Sequence, residues 1–118
     1  MKATIKGLIS PDVENLETFQ PKQKDNFSIF FQVLIGPLGL EGSESFNIQV
    51  CTPVWLINTK SIEAITIGRG LLIVQQYDFG NILATLSRFC TTCEGETWHE
   101  VATKASRLGI WEFEDYQG

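Results

Sequence analysis

Cys90-Thr91-Thr92-Cys93 is the clearest short chemical motif in the chain. A C-x-x-C pair can work as a redox dithiol or supply half of a zinc site. Redox use needs the first thiol near a helix N-terminus, where the positive end of the dipole favours thiolate. This pair falls at the C-terminal end of a helical pattern, where the dipole opposes it. Zinc use needs two further ligands. Cys51 and His99 are the remaining Cys and His residues, and their spacing fits no zinc finger. The pair therefore reads first as small apolar residues on the inner stripe of a helix. A metal-binding or redox module using Cys90 and Cys93 is the alternative. His99 is followed by Glu100, but adjacent helical residues point about 100° apart and make no catalytic dyad. Gly68-Arg69-Gly70 reads as a turn. No P-loop, dinucleotide fingerprint or nucleophile elbow is present. The expectation is a protein that is no enzyme and uses no cofactor or metal.

A second constellation lies between Glu94 and the C-terminus. Glu94, Glu96, Glu100, Glu112, Glu114 and Asp115 stand against Lys104 and Arg107, six acids to two bases and a local net of −4. Trp98, Trp111, Phe113 and Tyr116 are interleaved with them. Partly exposed aromatics make strong interface anchors, and acids around them steer a basic partner. Three acids among residues 112–115 repel one another, and a cationic surface would relieve that. Trp98, Trp111 and Phe113 are expected to be core. Glu94, Glu96, Glu112, Glu114, Asp115 and Tyr116 are the candidate partner-binding residues.

The elements that must position these residues follow from periodicity. Lys2 to Ile9 reads as a strand with Ala3, Ile5 and Ile9 on one face, ended by Ser10-Pro11-Asp12. Val13 to Asn26 is polar; Leu16 and Phe19 can tie it down, and Gln20 to Asn26 should be exposed. Phe27, Ile29, Phe31, Val33 and Ile35 alternate onto one face of a second strand, with Phe30 and Leu34 on the other, so both faces could be covered. Gly36 to Ser43 is a glycine-rich hairpin connection. Ser45 to Cys51 returns antiparallel, with Phe46, Ile48 and Val50 facing one way. Thr52-Pro53 predicts the cap and first residue of a short helix. Ser61 to Gly70 fits loop or strand. Leu71 to Tyr77 predicts a strand. Asp78 caps a helix with Ile82, Leu83, Leu86, Phe89, Cys90 and Cys93 on its apolar stripe. Thr97 and Glu100 form a capping box for a helix with Trp98, Val101, Ala102, Ala105 and Leu108 inward, ended by Gly109. Ile110 to Tyr116 predicts a last strand, Trp111 and Phe113 inward and Glu112 and Glu114 outward. This β-β-β-(α)-β-α-α-β order implies an α+β fold: a mainly antiparallel sheet with helices packed on one face, a single domain over residues 1–118.

Composition bounds the function. At 43% hydrophobic and 19% charged the chain is globular rather than disordered. No apolar run approaches the roughly 18 residues that span a bilayer. The net charge of −5 argues against nucleic acid or an anionic membrane as partner, since both need clustered Lys and Arg. It permits a basic protein. The basic N-terminus has no apolar stretch after it and reads as no signal peptide. Three cysteines, an odd set, then fit reduced thiols in the cytoplasm better than a secreted disulfide framework.

Several stretches carry a family likeness. Phe27-Ser28-Ile29-Phe30-Phe31-Gln32-Val33-Leu34-Ile35-Gly36-Pro37 and the run from Gly42 to Leu56 are two of them. Cys93-Glu94-Gly95-Glu96-Thr97-Trp98 through Trp111-Glu112-Phe113-Glu114-Asp115-Tyr116 is a third, and Lys2 to Asp12 fits as well. Together they resemble the immunity protein 8 family of bacterial polymorphic-toxin systems, across nearly the whole chain. The resemblance implies a cytoplasmic protein that binds and neutralises a cognate toxin. It transfers no binding motif residue by residue. If the toxin is a nuclease, its phosphate-binding groove is basic, and a string of acids would imitate nucleic acid.

Overall fold

The computed structural model describes residues 1–59 and 65–115. Its elements run β1 (Ala3–Ile9), β2 (Ser28–Pro37), β3 (Glu44–Cys51), α1 (Pro53–Asn58), β4 (Leu71–Ile73), α2 (Phe79–Cys90), α3 (Trp98–Ala105) and β5 (Ile110–Trp111). This is the expected order and the expected α+β fold. The strands β1, β2 and β3 form an antiparallel meander. The far edge of β3 is shared: β4 runs parallel to its second half and β5 antiparallel to its first half.

The core explains the layering. Phe31, Val33, Ile35, Phe46, Ile48 and Val50 project from β2 and β3 and are essentially inaccessible to water. The two longer helices cover this face: α2 buries Ile82, Leu86 and Cys90, and α3 buries Val101, Ala102 and Ala105. Each large side chain so buried stabilises the fold by about 1.5–3 kcal/mol. The opposite face is only partly covered. Phe30 and Leu34 are half-buried, while Ile73 and Ile110 are exposed.

The helix starts are those the sequence prescribes. The Thr52 hydroxyl accepts from the Trp55 amide at 3.3 Å and from the Phe27 amide at 3.2 Å, which satisfies a fully buried polar side chain. Asp78 accepts from the Asn81 amide at 3.1 Å, and Thr97 from the Glu100 amide at 3.2 Å. The capping box is shifted by one residue, because Glu100 accepts from the amide of Glu96 at 2.8 Å.

Four local expectations change. In β1, pairing steps from Ile5↔Ile35 to Gly7↔Leu34, leaving Lys6 as the extra residue of a bulge. A bulge inverts the alternation after it. Leu8, opposite Val33, therefore packs on the core, and Ile9 is exposed. The predicted strand Leu71–Tyr77 stops at Ile73. Tyr77 leaves the sheet to stack edge-on with Phe19 and Phe27, and its hydroxyl donates to the Leu16 carbonyl. That contact ties down the 13–26 segment and accounts for the burial of Leu16. Gly109 is no helix terminator: α3 ends at Ala105 with Ser106 as its cap. A Cβ on Gly109 would stand 2.6 Å from the Asn47 carbonyl oxygen and 2.7 Å from Ile48 Cγ2. Glycine is needed there so that the chain can lie against β3. The last strand holds only Ile110 and Trp111. Residues 112–115 form a turn, and Phe113 is 41% exposed rather than inward. The Ser61–Gly70 stretch lies partly outside the described residues.

Candidate partner-binding surface

One carboxylate links the strand that leads into the C-terminal turn to both the sheet and α3. Glu44, the first residue of β3, is half-buried on the same side as Phe46 and Ile48. It accepts from Trp111 Nε1 through Oε2 at 2.8 Å and from Trp98 Nε1 through Oε1. One side chain thus joins the start of β3, the start of α3 and the end of β5. The Trp111 ring stacks on Phe46 at 6.1 Å with 8° between planes, and Phe113 meets it edge-on at 6.1 Å. His99 lies 5.8 Å from the same indole.

Past Trp111 the backbone stays zipped to β3. The Glu112 amide donates to the Ser45 carbonyl at 3.0 Å, and the Ser45 amide donates to the Glu112 carboxylate at 2.8 Å. Glu114 is paired with Arg69. Nη1 donates to Oε2 at 2.7 Å, Nη2 donates to Oε1, and Nη2 also reaches the Ser106 carbonyl at 3.2 Å. The hydrogen bond from Arg69 holds the Glu114 carboxyl below the usual carboxylate range. Asp115 closes the turn at φ 62°, a left-handed conformation that Asp tolerates better than most residues.

The structure thus gathers Glu112, Glu114 and Asp115 into one turn. It connects them through Trp111, Glu44 and Trp98 to the segment carrying Glu94 and Glu96. Glu94, Glu96, Glu112 and Asp115 are exposed; Tyr116 lies outside the described residues. Sequence reasoning passed over Glu44 and Arg69. The signal for Glu44 was present, since it shares the inward parity of Phe46, Ile48 and Val50. A charge on a core-facing position requires partners. Arg69 carried no comparable signal, because a glycine-flanked arginine in a turn says nothing of what it will reach.

The thiols offer little chemistry. Cys90 and Cys93 are buried and unpaired, and Cys90 is the last residue of α2. Burial pushes the Cys90 thiol up to about 12 and raises that of Cys93. Thiolate is the reactive and metal-binding form, and it is disfavoured here. Among the described residues no three His, Cys, Asp or Glu side chains are grouped to hold a metal ion. Among the same residues no helix is long and apolar enough to cross a membrane.

An exposed aromatic on a pinned, acid-rimmed turn suits protein recognition. The model of the family described as immunity protein 8 matches residues 3–116. The chain belongs to the immunity protein 8 family. No curated protein and no solved structure matches it. Membership of an immunity protein family implies a toxin as the partner.

Proposed function

We propose that this immunity protein 8 member acts without catalysis, binding a cognate bacterial toxin domain in the cytoplasm and covering its active site. The family match over residues 3–116 carries this reading. The residues we assign to the partner surface are Glu94, Glu96, Glu112, Glu114, Asp115 and Tyr116, the first five of them on the C-terminal turn and the approach to α3. Phe113, exposed beside a fixed Trp111, adds an apolar anchor. Anchors of this kind lower the dissociation rate, and the surrounding acids raise the association rate of a basic partner. A nuclease is the toxin class that best fits a net charge of −5, because its substrate groove must be basic.

The test is co-expression with the toxin domain encoded by the neighbouring open reading frame. Growth should be restored, and the two proteins should elute as one complex. Toxicity that persists at equal expression, with no complex formed, would overturn the proposal.

A further inference from the structure

A pocket of about 290 Å³ opens beside the Glu44 clamp, between the β2–β3 turn and the start of α3. Pro37, Glu41, Gly42, Ser43, Glu44 and Trp98 line it. Its size falls at the lower limit of small-ligand sites, which begin near 300 Å³, and suits a single protruding side chain. We propose that this pocket receives an arginine side chain of the partner protein.

Three observations lead there. The first is the state of Glu44. Both carboxylate oxygens accept from neutral indole N–H groups, and among the described residues the one ion pair is Arg69 with Glu114. A half-buried negative charge is thus hydrogen-bonded but not neutralised. The second is the wall. Trp98 brings an indole to the same pocket, and a guanidinium stacks on aromatic faces while pairing with carboxylate. The third is the rim, where Glu41 is exposed on the turn and adds a second carboxylate. Lys6 reaches this turn too, but its ammonium is engaged by the Leu40 carbonyl at 2.7 Å. An ammonium ion suits the pocket less well, because it is more strongly hydrated and lacks the planar fork that matches a carboxylate. The indole bonds fix Glu44 before the partner arrives, which reduces the ordering cost of recognition. The inference builds on the reading that the chain binds a protein, yet its first test needs no toxin.

That test is a titration of the isotope-labelled protein with N-acetyl-arginine amide. The Nε1–H resonances of Trp55, Trp98 and Trp111 are assigned from single Trp→Phe variants. The Trp98 and Trp111 signals should move at millimolar ligand, and the Trp55 signal should not. N-acetyl-citrulline amide, the uncharged isostere, should move none of them. Glu44→Gln should weaken the effect at least about tenfold, and Glu41→Gln, an exposed substitution with no packing role, should weaken it by about two- to threefold. Equal shifts with citrulline, or unchanged arginine binding in both variants, would overturn the proposal. Binding of the toxin then separates the two claims. Toxin affinity unaffected by Glu44→Gln and Glu41→Gln but reduced by changes in the 112–115 turn would sink the pocket alone. Arginine-specific shifts in a protein that binds no toxin would sink the functional reading alone.

Discussion

Glu44→Ala removes the single acceptor for two indole donors that join three elements. Hydrogen bonds to a charged group contribute roughly 1.5–3 kcal/mol each. Glu44 and both tryptophans are half-buried, so water can replace part of each bond and the low end applies. Freeing a carboxylate from partial burial offsets some of the loss. The net cost should be about 1.5–3 kcal/mol, which for a chain of this length lowers Tm by roughly 6–12 °C. Loss of packing alone could produce a similar number, so the decisive measurement is a double-mutant cycle in urea. Trp98→Phe removes one donor while keeping a ring. In that background Glu44→Ala should cost about 1 kcal/mol less than in the wild type, a coupling typical of groups in direct contact. Glu44→Gln should fall between, since its amide offers one acceptor oxygen to two indoles. Costs that add to within about 0.3 kcal/mol would show that the carboxylate does not hold the indoles in solution.

Gly109→Ala should destabilise by about 1–3 kcal/mol through overpacking against Asn47 and Ile48, read as a lower urea midpoint; a neutral result would mean that the chain does not approach β3 there. Cys90→Ala with Cys93→Ala should cost roughly 1–3 kcal/mol and leave toxin protection intact, so a folded double mutant without protection would return the thiols to the function. Cys90 and Tyr77 are both held near 12, above ordinary values of 9.0 and 10.0. The folded state keeps protons that the unfolded state releases, so stability is full below about pH 9 and should decline as pH rises towards about 12, checked by urea midpoints between pH 8 and 11. Glu96→Gln with Asp115→Asn should slow association with the toxin by at least about threefold at low salt and flatten its salt dependence, with Tm unchanged. Identical kinetics at both salt concentrations would remove these two acids from the recognition surface.

The fold was largely legible because its strongest signals are local. Alternation in Phe27–Ile35 and Phe46–Val50, the caps Thr52, Asp78 and Thr97, and the stripes of α2 and α3 each act within a few residues. The differences arose where a single residue changes parity or path. The Lys6 bulge has no signature beyond an unremarkable lysine before Gly7, yet it moves Ile9 out and Leu8 in. Tyr77 fits a strand by pattern, and what withdraws it is a partner, the Leu16 carbonyl, 61 residues away. Gly109 looks like a helix stop because it follows one. Its need for no Cβ comes from β3, which no window around residue 109 contains.

The candidate surface was legible in residue type but not in role. Counting charges treats Glu112, Glu114 and Asp115 as three equivalent, free acids. The structure distinguishes them: Glu112 holds the Ser45 amide, Glu114 is paired with Arg69, and Asp115 sits in a left-handed turn. Including Arg69 changes the local net from −4 to −3. A charge-reversing change at Glu114 would therefore test the fold along with recognition, because it sets a lysine against an arginine. The aromatics change in the opposite sense. Phe113, expected inside, is on the surface, and Trp111 beneath it is fixed by Phe46 and Glu44. Binding energy at interfaces concentrates in ordered aromatic anchors, whereas rim charges act mainly on the rate of encounter. The affinity of this surface should accordingly depend more on Phe113 and the Glu44 clamp than on the number of acids around them.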